Sequence, residues 1–140
     1  MSVITDIADA VVAELNAAEF SQPFEAQRRY LPRFDLAEMK DVHVTVVPKG
    51  ATVLSGSRAH HQHDYEIDVA VQKKTGADAD IDPLMRLVEE IADHFRGKRL
   101  EAMSNVAWAG TAHSPIYAPE HLEQLGQFTS VLTFTFRTMR

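Results

Sequence analysis

The residues best placed to do chemistry are His60, His61, His63 and Asp64. On a strand, His61 and His63 point to the same side and could offer two imidazoles to one metal ion. Zinc ordinarily takes a third protein ligand. The nearest candidate on that side is Tyr65, a poor one, while His60 and Asp64 face the other way. The reading we favour is a polar hairpin whose histidines are solvated or face a partner subunit, and no metal or cofactor site is assigned. His113 and His121 flank a proline-punctuated stretch, but no serine sits in a nucleophile-elbow context and no motif fixes a carboxylate beside them. Glu89-Glu90 falls on the polar side of an amphipathic helix, which makes a solvated face the simpler explanation. Asp78, Asp80 and Asp82 alternate as in a calcium loop, yet the glycine and closing glutamate of that loop are missing. No glycine-rich phosphate loop is present. Two basic clusters, Arg28-Arg29 with Arg33 and Arg96 to Arg99, lack the interleaved aromatics of a single-strand binder. No catalytic residue is therefore assigned, and the chain does not read as an enzyme.

Elements must position these groups. Ile4, Ile7, Ala8, Val11, Val12 and Leu15 recur at helical spacing, with Ser2 as a candidate cap and Asp6 and Asp9 early, where the helix dipole favours negative charge. Asn16 to Pro23 breaks that helix. Ala26 to Leu31 reads as a short strand halted by Pro32. Val42, Val44 and Val46 alternate with polar residues up to a turn predicted at Pro48-Lys49-Gly50, and Ala51 to Leu54 follows it. Tyr65, Ile67, Val69 and Val71 form one face of the clearest strand, with Glu66, Asp68, Ala70 and Gln72 on the other. Lys73 to Asp80 reads as a loop. Asp82-Pro83 starts a second helix carrying Leu84, Leu87, Val88, Ile91 and Phe95, and Gly97 stands where a left-handed cap is wanted. Asn105 to Ala109 reads as a short strand and Pro119 to Leu125 as a helical turn or two. In Phe128 to Arg137, Leu132, Phe134 and Phe136 share one face.

This order predicts an α+β fold: a mainly antiparallel sheet, made of a β-meander plus a C-terminal strand, with two main helices packed on one side. Residues 1–140 read as a single domain, burying roughly 65–70% of the surface of the unfolded chain. Twenty Asp and Glu against 14 Lys and Arg give a formal net charge of −6, which argues against binding to a nucleic-acid backbone. With no cysteine, disulfides and thiolate chemistry are excluded. No apolar run approaches the roughly 20 residues of a membrane span, and the opening residues lack a basic secretory n-region, so a cytoplasmic site of synthesis and assembly is expected. Phe20, Phe24, Tyr30 and Phe34 crowd the region after the first helix. Such groups either close the core or stand exposed as anchors for another subunit.

The order of elements, together with RRYLPRFDLAEMKDVHVTVVPKG, HDYEIDVAVQKK, LMRLVEEIADHFR and SPIYAPEHLEQLGQFTSVLTFTFR, resembles the tail terminator (tail completion) proteins of long-tailed bacteriophages and prophages, with the minor head–tail joining proteins as neighbours. The resemblance covers nearly the whole chain in layout and carries no catalytic or cofactor signature. It implies a virion protein assembled in the bacterial host cytoplasm. Its ring, a hexamer, would cap the tail tube, end tube polymerisation and join the tail to a neck or connector protein. The partners implied are further copies of the chain, the tube protein and the head–tail connector. Phe20, Phe24, Tyr30, Phe34, His61 and His63 are then interface candidates. Glu66 and Asp68 are lumen candidates, repelling DNA that passes through without specific binding. The alternatives are a neck or connector component and a small metal-binding hydrolase using His60 to Asp64.

Overall fold

A computed structural model of the chain describes residues 2–30, 41–74, 81–113, 117 and 126–140. The first helical stripe becomes α1 (Val3–Ala17), which buries Ile7, Ala8, Ala10, Val11 and Leu15. Ser2 occupies the cap position through its backbone: its carbonyl accepts from Thr5 Oγ1 at 2.9 Å, and its own side chain makes no capping bond. Asn16 ends the helix by gripping the next element. Its amide accepts from the Ala26 N–H at 2.8 Å and donates to the Ala26 carbonyl at 3.2 Å, fixing β1 (Ala26–Arg28) beside α1.

The sheet has five strands in the order β1-β2-β3-β5-β4, where β2 is His43–Leu54, β3 is Gln62–Lys74, β4 is Ala107–Ala112 and β5 is Gln127–Met139. All neighbouring pairs are antiparallel except β1 with β2, which is parallel. This corrects the simple meander. β2 and β3 form a hairpin, β5 joins β3 from far along the chain, and β1 lies parallel on the edge.

The predicted turn at Pro48 to Gly50 is also corrected. β2 runs straight through it with a register shift between Pro48 and Gly50, leaving Lys49 as the extra residue of a β-bulge. Proline cannot donate to a ladder, and a bulge removes that demand while the strand continues. The reversal comes instead between Leu54 and Gln62. The short strand predicted at 105–109 lies two to three residues later, as β4. Leu31, Pro32, the 75–80 part of the loop and the 119–125 helical turn lie outside the described residues.

Helix α2 (Ile81–Phe95) buries Leu84, Leu87, Val88, Ile91 and Phe95. It begins one residue before Asp82, which sits in its first turn. Gly97 follows with φ of +73°, the left-handed conformation that its lack of a Cβ permits. Both helices pack on one face of the sheet. A hydrophobic cluster joins their stripes to Val44 and Val46 of β2, Tyr65, Ile67, Val69 and Val71 of β3, and Phe128, Leu132, Phe134 and Phe136 of β5. Phe95 centres it, with its ring 5.0 Å from Phe134 and 6.0 Å from Phe136. A tight segment after α2 tucks Leu100 and Val106 into the same core through backbone bonds between Leu100, Met103 and Val106.

Candidate functional site

The face of the sheet opposite the helices carries the polar chemistry of the chain, because the period of two sends every second side chain there. From one end to the other its cross-strand rows are Leu54–Gln62–Met139, Thr52–Asp64–Arg137, Gly50–Glu66–Thr135, Val47–Asp68–Thr133, Thr45–Ala70–Val131 and His43–Gln72–Thr129. The bulge keeps these rows in phase: without the extra residue at 49, the last five residues of β2 would show their other sides.

Asp64 and Arg137 stand directly opposite each other and form a bidentate pair, with Nε to Oδ1 at 2.8 Å and Nη2 to Oδ2 at 3.1 Å. The Arg137 hydrogen bonds hold the Asp64 carboxyl below its ordinary range, and Asp64 in turn raises Arg137. Asp68 accepts a 2.6 Å hydrogen bond from Thr133 Oγ1. Lys49, turned outward by the bulge, lies 3.9 Å from both Glu66 Oε2 and Asp68 Oδ1. The acids of this face are thus arranged around a cation. Deeper along the face Thr45, Ala70, Gln72 and Thr129 are buried, and Thr45 Oγ1 and Gln72 Oε1 have no hydrogen-bond partner among the described residues.

The histidine cluster does not assemble. His63 lies on the helix side of β3, its ring stacked at 6.0 Å on Tyr65 and its Nδ1 3.4 Å from the Tyr65 hydroxyl, which also accepts from Arg140 at 3.1 and 3.3 Å. Asp64 is on the opposite face, committed to Arg137. His61 exchanges two backbone hydrogen bonds with Arg140, at 2.8 and 2.9 Å, and His60 N donates to Ser57 Oγ. Among the described residues no three His, Asp or Glu side chains come together to hold a metal. No helix among them is long and apolar enough to cross a membrane.

The other sequence candidates separate. Phe20 and Phe24 stack on each other at 5.4 Å and pack against the core, with Phe20 edge-on to His94 at 5.8 Å. Tyr30 is 68% exposed, and Phe34 lies outside the described residues. Glu90 accepts from the Ser21 N–H at 3.0 Å, and hydrogen bonding from Ser21 lowers its pKa. Arg28 is bound to Asp9 at 2.7 Å, tying β1 to α1, and Arg96 to Asp93 at 3.1 Å at the end of α2, so each basic cluster is partly occupied within the fold. His113 Nε2 is 2.7 Å from Ser130 Oγ, whereas His121, Asp78 and Asp80 are outside the described residues. Missed by the sequence were the Asp64–Arg137 pair and the role of Lys49. Both depend on strand register, and the only local signal was that each acid falls on the polar phase of β3.

One end of the sheet outruns the helices. Residues 51–61 are exposed throughout, and Val53, Leu54 and Met139 are among the most exposed large apolar side chains, at 57%, 49% and 50%. The arrangement is therefore a polar sheet face whose charges are paired across strands, ending in an arm with exposed apolar side chains.

No protein-family model matches the sequence, and neither does any curated protein. The architecture is nevertheless shared. A chain in the solved structure described as the virion of a native gene transfer agent (GTA) particle superposes with a TM-score of 0.67 at 14% identity, over 100% of both chains. The fold is one found in a virion. At that identity the likeness establishes the shared fold alone, over the full length of both chains.

Proposed function

We propose that this chain is a structural component of a phage-like virion, and that it works as a ring at the end of the tail tube. There it ends tube polymerisation and joins the tail to the head or neck. The observation that carries this reading is the full-length superposition on a chain of a gene transfer agent particle. The geometry supports it: a sheet face whose charged groups are paired across strands, and a projecting arm with exposed apolar side chains of the kind that mark subunit contacts. Closed cyclic assembly is the usual outcome when such a surface meets a different patch on an identical neighbour.

In this reading the chain transforms no substrate, and its partners are its own copies, the tube protein and a neck or connector protein. Glu66 and Asp68 face away from the core, where a bore would need acids to discourage sticking of DNA. The hydrolase alternative loses its constellation, because His63 and Asp64 project to opposite faces and Asp64 is held by Arg137. A neck or connector role places the same fold one position further along the particle. Electron microscopy of particles made without this gene separates the two: abnormally long tails identify a terminator, whereas normal tails detached from heads identify a joining component. Normal, filled and fully joined particles would overturn both.

A further inference from the structure

We propose that the projecting arm of one copy, built from the end of β2, the start of β3 and the end of β5, docks on the α1 face of a neighbouring copy of this chain. The inference rests on the ring reading and specifies its contact.

The arm is apolar and basic at once. Val53, Leu54 and Met139 are exposed on it, and residues 51–63 contain Arg58 and three histidines with no Asp or Glu. Residues 127–140 likewise contain no acid, and Arg140 lies beside the arm through its bonds to His61 and Tyr65. Asp64, just inside the arm, is already consumed by Arg137. The N-terminal segment is the reverse. Residues 1–27 contain Asp6, Asp9, Glu14, Glu19 and Glu25 and no Lys or Arg. Beside this segment a shallow, open depression of about 370 Å³ is lined by Asp6, Asp9, Ala10 and Ala13 of α1 together with Ala102 and Met103. Asp9 shares its charge with Arg28. The two surfaces complement each other in charge and in apolar character. Within one chain they do not meet, since the arm's apolar side chains are exposed and none of them lines the depression. A contact between two different patches is heterologous, the kind that forms a ring when its rotation closes.

The absence of cysteine gives a clean test. Full-length Leu54→Cys and Ala13→Cys variants, one carrying a size tag, are mixed under mild oxidation and run without reductant. A disulfide-linked mixed dimer is expected, with no linked species from either variant alone. In parallel, assembly is followed by native mass spectrometry against concentration. Arg58→Glu is expected to raise the half-assembly concentration at least tenfold, and Asp6→Lys in the same chain to recover most of that loss, with circular dichroism confirming that each variant is folded. Multimers that form normally without a mixed disulfide overturn this contact and leave the ring reading intact. Leu54→Cys linking to itself overturns it too, because the arms would then meet each other. A chain that stays single at every concentration, with or without tail tubes, overturns both readings. Loss of short-duplex binding by Arg58→Glu with assembly unchanged assigns the arm to nucleic acid and overturns the proposal.

Discussion

Thr45 and Gln72 hold buried oxygens that have no partner among the described residues, on the sheet face away from the helices. An unmet buried polar atom keeps its desolvation cost, typically about 1–3 kcal/mol, with nothing to offset it. Thr45→Val keeps the shape and removes the hydroxyl, so it is expected to stabilise the fold by about 1 kcal/mol, read as a raised urea midpoint at unchanged slope. A destabilisation would show that the hydroxyl finds a partner in solution. His94 makes the opposite kind of statement. Burial against Phe20 and Phe95 lowers its pKa from the ordinary 6.5, with Lys98 adding to the effect and Glu101 opposing it. The unfolded chain therefore binds the proton more readily than the folded one. The neutral ring's contribution is present above 6.5 and is lost as pH falls through and below that value. Thermal melts of the wild type should fall on acidification through this window, and His94→Gln should fall less. Equal slopes would mean that the imidazole is solvated.

At the level of elements, two glycines that look alike in the sequence behave differently. Gly97 has a φ of +73° after α2, whereas Gly50 follows the bulge with no positive φ and with nothing within 4 Å of where a Cβ would stand. Gly97→Ala should cost about 1–2 kcal/mol, because a left-handed residue places Cβ against its own carbonyl. Gly50→Ala should be neutral or slightly stabilising through the unfolded state. Paired denaturation curves check both, and equal costs would refute the distinction. The same contrast explains what was legible. The stripes of α1 and α2, the Gly97 cap and the alternating faces of β3 and β5 are local patterns, and each appears where the spacing put it. Pro48-Lys49-Gly50 has turn composition but lies in a bulge, because pairing with β3 on one side overrides local preference. The parallel placement of β1 and the Asp64–Arg137 pair need partners 18 and 73 residues away, which no local window contains. Phe20 and Phe24 carried no periodicity to say whether they faced in or out. Only the proximity of α2 and of His94 resolves them as packed against the core.

For the whole molecule the question is what the helix-free face sees in an assembly. The chain carries a net charge of −6, but that charge is not spread evenly: on this face Glu66 and Asp68 surround Lys49, and Asp64 is matched by Arg137. A face lining a bore for DNA gains from weak net repulsion and from having no unpaired cation, since every available Lys or Arg adds a phosphate contact and a salt-dependent hold on the duplex. Changing Glu66 and Asp68 together to lysine leaves the hydrophobic face of β3 untouched and puts two new lysines beside Lys49, three in all. The assembled variant should retain short duplex DNA at low salt, release it steeply as salt rises, and give particles that deliver less genome although their number and shape are normal. The wild type should retain none under the same conditions. Should the lysine variant bind no duplex and deliver genome as the wild type does, this face lies outside the bore, and the acids around Lys49 serve the pairing of β2 with β3 alone.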